Sequence, residues 1–159
     1  MMEIRSKARR LKSKQPDLGL IIVDYLQLMT SGTSADNRVQ EVSQISRNLK
    51  VLARDRLAKA STHYAGLVGR SYATLALRDT RSRWGSCSPD GRLMYSWRLI
   101  MAPAAVLDYV AAHEVAHLVE LNHSPAYWAV VSRIYPGWQI QRAWLHENGQ
   151  HLHRLRFQD

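Results

Sequence analysis

The stretch AAHEVAHLVELNHSPAYW, residues 111–128, places His113, Glu114, His117 and His123 within eleven positions. The first two histidines are four residues apart, so on an α-helix their imidazoles share one face and can reach one tetrahedral ion. Glu114 lies one step round such a helix, where it can hold a metal-bound water and take its proton. The spacing therefore predicts a helix that carries two metal ligands and a general base.

A catalytic zinc ion takes three protein ligands and keeps one position open, so this site needs a third ligand. His123 is the candidate, but six residues after the second histidine a continuous helix would point it about 240° away. The helix must therefore end first. Asn122 tolerates the left-handed conformation that ends helices, and Ser124-Pro125 favours the start of another helix. We expect a sharp turn at 121–124 that returns the third histidine to the metal.

Two alternatives to this ligand set stay open. Glu120 can replace His123, as in sites built from two histidines and a glutamate. It also stands where metzincin-type sites with the same spacing carry a glycine, which predicts a different local turn. The other alternative is a surface helix that binds no metal, but the apolar stripe beside the ligands favours the metal site. His146, His151 and His153 lie among polar residues without helical spacing, and we interpret them as ordinary histidines.

Composition limits the class of protein. The chain has 159 residues, 46% of them apolar and 22% charged, which fits one soluble globular unit. Cys87 is the single cysteine, so no intrachain disulfide can form and a cytoplasmic location is expected. The most apolar run, LGLIIVDYLQLM, contains Asp24 and is too short to span a bilayer. Neither export nor a membrane anchor is therefore expected.

The net charge of +9 allows an anionic partner. The densest basic segment is IRSKARRLKSK, residues 4–14. It lacks the interleaved aromatic residues of a groove that binds single strands. A nucleic-acid contact through this basic N-terminal helix and a solvated helix face therefore stay equally open.

The composition changes near residues 50–60, because every lysine lies at or before Lys59 and all five tryptophans lie at or after Trp84. No glycine- or proline-rich linker separates the halves, so any boundary is expected inside a helix. In the first half we predict a basic helix at 2–14, a strand at 20–25 and a long helix at 37–69. In the second half we predict a strand at 72–80, a turn at 88–91 and a strand at 92–100 directly after that turn. The remaining predicted elements are a helix from Pro103, a helix at 124–134, a helix Gln139–Asn148 ended by Gly149, and a strand at 151–157.

The segment RDTRSRWGSC, residues 78–87, places three arginines and a tryptophan just before the predicted turn. If it borders the cleft above the metal, Arg81 or Arg83 can bind an anionic group of a substrate. Packing at a strand end, with Trp84 in the core and the arginines solvated, is equally open. Arg81, Arg83 and Trp84 are accordingly the candidate substrate-binding residues.

The second half of the chain resembles a known family. LRDTRSRWGSCS, WRLIMAP, LDYVAAHEVAHLVELNHSPAYW and LHRLRF occur in the order found in bacterial YgjP-type metal-dependent hydrolases, relatives of the SprT-like zincin metallopeptidases. The resemblance covers about residues 52–157. It implies an α+β, zincin-like fold with a small sheet packed on the HExxH helix, zinc held by His113, His117 and His123, and Glu114 as general base. Members are described as peptidase-like and as nucleotide pyrophosphatase-like, so a peptide or another hydrolysable substrate is implied.

The first half, about residues 3–53, resembles a fragment of the replicative DNA helicase DnaB. IRSKARRLK, GLIIVDYLQLM and DNRVQEVSQISRNLKVLA match its RecA-like ATPase domain, with Asp24 at the acidic position of the Walker B strand. None of the eight glycines is followed by lysine, so the phosphate loop of Walker A is missing. Neither ATPase nor helicase activity is expected.

Together these patterns predict two domains. Residues 1–52 form a helix-strand-helix fragment of RecA-like origin, and residues 53–159 form a YgjP/SprT-like zinc metallohydrolase domain. The predicted function is a metallopeptidase-like hydrolase in which Zn2+ activates water and Glu114 is the base. The alternatives are a nucleic-acid-binding module derived from the helicase, with a non-catalytic metal site, and an inactive metal-binding pseudo-enzyme.

Overall fold

A computed structural model describes residues 35–154, with side chains from residue 42 onward. By its internal contacts the chain separates into two compact units, and the boundary between residues 46 and 47 falls inside the first described helix. Apart from the start of the first helix, the features below belong to the larger unit, Arg47–Arg156. The predicted boundary at residues 52 and 53 stays a prediction.

The described part of the chain contains both helices and strands, which confirms the predicted α+β class. No described helix combines the length and the apolar character of a transmembrane span. The helix predicted at 2–14 and the strand predicted at 20–25 lie outside the described residues. The elements follow one another as α1 Ala35–Leu67, β1 Thr74–Arg78, β2 Gly85–Cys87, β3 Arg92–Ser96, a 3-10 helix Trp97–Met101, α2 Ala104–Ala116, α3 Pro125–Ile134 and α4 Trp138–Arg154.

The three strands form one sheet in the order β1-β3-β2. β3 lies in the middle, parallel to β1 and antiparallel to β2, and its register sets Gly85 opposite Tyr95. The predicted turn between β2 and β3 is confirmed, because the Gly91 N–H donates to the Ser88 carbonyl at 2.9 Å. Gly91 has a φ of 77°, which favours glycine at that position. The strand predicted at 92–100 ends earlier, because the buried 3-10 helix begins directly after it.

The helix α2 lies in the middle of the unit. It contacts β2, the 3-10 helix, α3 and α4, so it is covered on most sides. This explains its nearly continuous apolar sequence, since a helix that is hydrophobic all round is a buried helix. A rigid central helix therefore carries the first two predicted metal ligands. Its buried residues are Val106, Leu107, Tyr109, Val110, Ala111, Ala112, Glu114, Val115 and Ala116.

The last helix is longer than the sequence predicts. The pattern predicted that it ends at Gly149 and that a strand follows, but α4 continues to Arg154. Gly149 is buried inside the helix, and a Cβ there would lie 2.9 Å from Cζ2 of Trp84. The glycine makes room for an indole and does not end the helix. The predicted strand is wrong for residues 151–154, and residues 155–157 lie outside the described part.

A buried arginine joins the strands to the last helix. Arg98 is 4% exposed, and its Nε and Nη2 donate to the two carboxylate oxygens of Asp79 at 2.6 and 3.0 Å. Its Nη1 donates to the carbonyl of Leu152 at 3.0 Å. The hydrogen bond from Arg98 holds the pKa of Asp79 below its ordinary value. One guanidinium thus ties the end of β1 to the 3-10 helix and to α4.

We expect Asp79→Asn to lower the free energy of unfolding by about 1–3 kcal/mol, because a buried cation loses its counter-charge. This expected loss in the free energy of unfolding is smaller than that for a fully buried ion pair, because the Asp79 side chain is 46% exposed. The folded-state pKa of Asp79 is lowered, so the contribution is present above the carboxyl's ordinary value of 3.8 and is lost as the pH falls through the folded value. Urea unfolding should show the difference from wild type at pH 6 and a smaller one at pH 3. A difference independent of pH, or an equal loss in the exposed control Asp55→Asn, would contradict this role.

Candidate metal centre

Three imidazoles meet at the end of α2. His113 lies in its last turn, His117 is its C-terminal cap, and His123 comes from the connection to α3. Their ring nitrogens all lie within 4.8 Å of one another. Nε2 of His113 is 3.2 Å from Nε2 of His123. The structure therefore brings together the three histidines that the sequence predicts as ligands.

This arrangement fits a metal ion. Two nitrogens that bind one tetrahedral ion at roughly 2.0–2.1 Å lie about 3.3 Å apart. The 3.2 Å between His113 and His123 is close to that value. Burial and the neighbouring histidines lower the pKa of His113 to about 3, and burial also lowers the pKa of His117. These imidazoles are neutral near pH 7, so their lone pairs are available to a cation.

The local backbone fixes the second ligand. α2 ends at Ala116, and His117 is its C-terminal cap. Nδ1 of His117 lies 3.0 Å from the carbonyl oxygen of Glu120. In the tautomer that donates this bond, Nε2 is left for the metal, as in metal sites whose histidines are held by a carbonyl. Glu120 therefore serves the cluster through its backbone, and its carboxylate is outside the group of converging ligand atoms.

The path to the third ligand agrees with the predicted turn. As predicted, α2 ends before His123. Its last residue is Ala116, so it ends earlier than the predicted turn at 121–124 implied. The N–H of Ser124 donates to the carbonyl of Asn122 at 2.8 Å. The Ser124 hydroxyl then accepts from the N–H of Tyr127 and caps α3. The chain thus turns sharply beside the metal ligands before a new helix begins.

Tyr127 is a residue of the site that the sequence did not reveal. Its ring stacks on His117 at 4.4 Å and meets the edge of His123 at 4.7 Å. Its hydroxyl donates to the carbonyl of His113 at 2.9 Å. Its pKa is raised by burial, so the hydroxyl keeps its proton and stays a donor. Tyr127 thus contacts all three histidines. In the sequence, its position directly after the helix cap was the only local indication of such a role.

Glu114 is 6% exposed and lies against β2. A Cβ at Gly85 would be 2.5 Å from Oε1 of Glu114, so only glycine leaves room for the carboxyl group. Burial raises the pKa of Glu114 to about 8, and the charge of Arg83 opposes that rise. This carboxyl group therefore holds its proton more tightly than an exposed glutamate does.

The three predicted substrate-binding residues occupy different places. Arg83 is exposed and lies near enough to Glu114 for its charge to lower that carboxyl's pKa. Arg81 is exposed as well. Trp84 stacks on His153 at 4.6 Å and lies over Gly149, which agrees with packing at the strand end. A role of these residues in substrate binding stays a prediction.

The remaining histidines and the cysteine do not join the ligand cluster. His146 and His151 are exposed on α4, and His153 lies half-buried beneath the indole described above. Cys87 is half-buried, and its pKa is raised to about 11 by burial and by the charge of Glu114. It stays a protonated thiol near pH 7, so the site is built from imidazoles without thiolates.

The family of the chain follows from its sequence. A sequence model of the YgjP-like family, described as a metallopeptidase domain, matches residues 7–148. The chain belongs to the YgjP-like family. Together with the histidine cluster, this membership makes it a metal-binding hydrolase of the metallopeptidase type. The match begins well before residue 52, so the YgjP-like pattern extends into the segment that resembles a helicase.

A solved structure has a similar fold. The metallopeptidase zymogen of Pyrococcus abyssi abylysin aligns with a TM-score of 0.51 and 17% identity, over 59% of this chain and 93% of the other. At this identity the likeness concerns the fold alone. It confirms the predicted zincin-like architecture, a small sheet beside the helix that carries the histidines.

A separate likeness covers about a third of the chain. Replicative DNA helicase DnaB of Mycobacterium intracellulare is 60% identical over 55 residues, which are 35% of this chain and 9% of that protein. Replicative DNA helicase DnaC of Bacillus subtilis is 61% identical over 54 residues, 33% of this chain and 12% of that protein. The chain thus spans about a tenth of these helicases, and the predicted helicase fragment is confirmed. The absence of helicase and ATPase activity stays a prediction.

Proposed function

We propose that the chain is a zinc-dependent peptidase whose zinc ion is bound by His113, His117 and His123 and whose general base is Glu114. The observation that carries the proposal is the convergence of three imidazoles beside a buried carboxyl group on one helix. Three histidines without a thiolate leave one coordination position free, which is typical of catalytic zinc and unlike structural zinc. This supports an enzyme over a binding module with a structural ion.

When bound, zinc supplies Lewis acidity, which polarises a substrate carbonyl and lowers the pKa of a water molecule. Glu114 accepts the proton of the attacking water on its carboxylate and returns it to the leaving amine. Because residue 85 is glycine, β2 passes directly over the Glu114 carboxyl group and restricts its position. Tyr127 and the Glu120 carbonyl fix the orientation of the ligand His117. These contacts preorganise the site, which argues against the inactive pseudo-enzyme.

The direct test is hydrolysis by the full chain purified with zinc. A mixture of peptides of known sequence would be incubated with the protein, and the products would be identified by mass spectrometry. We expect cleavage that a chelator removes and added zinc restores. Nucleoside triphosphates and single-stranded DNA would be assayed in parallel. Release of pyrophosphate without peptide cleavage, or salt-dependent DNA binding as the sole activity, would contradict the proposal.

Gly85→Ala is expected to lower kcat/KM for peptide cleavage by about 100-fold, the scale at which a 1 Å misplacement reduces catalysis. The reason is the 2.5 Å approach of the new Cβ to Oε1 of Glu114, which forces the base to move. Bound zinc should stay at the wild-type level, because no ligand is displaced. The control is Gly66→Ala, a site with no atom within 4 Å of the added Cβ. Unchanged cleavage in Gly85→Ala would show that the position of this carboxyl group does not matter.

A further inference from the structure

Two tryptophans and an arginine form a cluster that the proposed mechanism does not use. Trp128 on α3 stacks on Trp138 at the start of α4, with ring centroids 4.3 Å apart and planes 20° apart. The Arg142 guanidinium lies over both rings, 5.1 Å and 5.8 Å from their centroids. We call these three side chains the tryptophan–arginine cluster. Such stacking holds a cation in a fixed place on an aromatic platform.

The tryptophan–arginine cluster borders the metal centre. The Trp128 ring is stacked near His123 at 5.8 Å and meets His113 at 5.9 Å. One substrate molecule can therefore place its scissile bond at the metal centre and another of its groups at the Arg142 guanidinium.

The guanidinium of Arg142 is free to bind an anion. Arg142 is exposed, and among the described residues it forms no ion pair with a carboxylate. Stacking uses the face of the guanidinium and leaves its N–H groups, which lie in the plane, able to donate to a carboxylate. The Trp138 indole N–H donates to the Ser132 hydroxyl at 3.0 Å, which fixes the platform.

A tyrosine hydroxyl is a further polar group beside the metal centre. Tyr109 on α2 is 4% exposed, and its ring meets His113 edge-on at 5.9 Å. Its hydroxyl forms no hydrogen bond within residues 42–154, and its oxygen is not fully buried, so it can donate to a ligand. Tyr109 thus offers a second donor beside His113.

We propose that Tyr109, Trp128, Trp138 and Arg142 form a subsite that binds a carboxylate of a peptide substrate beside the metal centre. The carboxylate is either the C-terminus or an acidic side chain near the scissile bond. The subsite combines a fixed cation, a hydroxyl donor and an aromatic surface, which complement an anion carried on a chain with apolar parts. This proposal rests on the proposed peptidase function.

The test compares Arg142→Ala with the control Arg133→Ala, an exposed arginine in the last turn of α3. Each peptide that the wild type cleaves would be used in three forms: unmodified, with an amidated C-terminus, and with its acidic side chains replaced by amides. We expect Arg142→Ala to lower kcat/KM by about 10- to 100-fold for the form that carries the recognised carboxylate, mainly through KM. The form that lacks this carboxylate should be cleaved equally by wild type and variant. Bound zinc should be unchanged.

The three forms identify the source of the carboxylate, because only one modification should remove the difference between wild type and Arg142→Ala. Arg142→Lys keeps the charge but loses the planar group that stacks on the indoles and its paired donors. Its kcat/KM should therefore lie between those of wild type and Arg142→Ala. An equal loss for all three peptide forms, or no loss in any, would overturn the subsite.

A binding measurement separates failure of the subsite from failure of the peptidase function. Hippurate, an aromatic carboxylate, and its neutral amide hippuramide would be titrated into zinc-loaded protein while tryptophan fluorescence is followed. We expect saturable binding of hippurate that weakens at least about 10-fold in Arg142→Ala and is unchanged in Arg133→Ala. If no peptide is cleaved but this dependence is found, the subsite stands and the peptidase proposal falls. Equal hippurate affinity in wild type and Arg142→Ala overturns the subsite.

Discussion

Glu114→Gln is expected to lower peptide cleavage by about 10²–10⁴-fold, the usual contribution of a general base. Glutamine keeps the shape of the side chain against β2 but cannot accept the proton of the attacking water. The three histidines are untouched, so the variant should bind zinc as the wild type does. The measurement is kcat on the peptide that the wild type cleaves best, with zinc content determined on the same samples.

The stability of this variant excludes a trivial explanation. Glu114 is buried, and its burial disfavours the charged form, as its pKa of about 8 shows. The neutral amide therefore should not destabilise the fold through loss of charge, and thermal unfolding should occur at or above the wild-type temperature. The matched control is Glu147→Gln, an exposed glutamate on α4. Retained cleavage by Glu114→Gln in a folded, zinc-loaded protein would exclude this residue as the base.

His123→Ala is expected to have the second large effect, on zinc binding. Without this residue both remaining ligands come from α2, and the ion loses the one ligand that anchors it to the following turn. The zinc affinity should fall by more than the roughly 10–100-fold that the loss of an outer-shell partner costs. Competition with a chromophoric chelator measures the affinity, and peptide cleavage should be lost at limiting zinc.

Glu120→Ala is the matched control, because only the backbone carbonyl of Glu120 contacts a ligand. Its zinc affinity should stay within a few-fold of wild type. The reverse result, zinc lost in Glu120→Ala and kept in His123→Ala, would mean that the site consists of two histidines and a glutamate.

The convergence of the three histidines was predictable from sequence because its determinants are local. Two ligands four residues apart on a helix, a residue that can end the helix and the Ser124-Pro125 helix start together require few assumptions about tertiary structure. The neighbours of the ligands were not predictable in this way. Tyr127 and the tryptophan–arginine cluster reach the site only because α3 and α4 pack beside α2, and no spacing within one segment encodes that contact.

The two glycines with close neighbours show a second limit of local patterns. Gly149 resembles a helix end in sequence, yet the helix continues through it, and glycine is there because the indole of Trp84 occupies the space of a Cβ. Gly85 lies in a strand of only three residues, and the reason for glycine there is the carboxyl group of Glu114 on another element. In both cases glycine is needed because a side chain from a segment far away in the sequence occupies the space of a Cβ. Local propensity yields to such contacts.

The extent of the family was the other difference. The motifs placed its start near residue 52, because the earlier residues resemble a helicase so closely. The family nevertheless matches from residue 7. A segment 60% identical to a helicase over 55 residues therefore overlaps the hydrolase pattern. The close identity to a helicase over a short segment led to a predicted start that is too late, because the family pattern runs through most of the chain.

The most direct test of the central claim, that the histidine cluster holds a catalytic metal ion, is metal content. The protein would be purified without an affinity tag and its metals determined by mass spectrometry, for wild type and for a variant with both His113→Ala and His117→Ala. We expect about one zinc ion per wild-type chain, as a three-histidine site binds one ion, and none in the variant. A wild type without metal, or a variant that keeps its zinc, would contradict the claim.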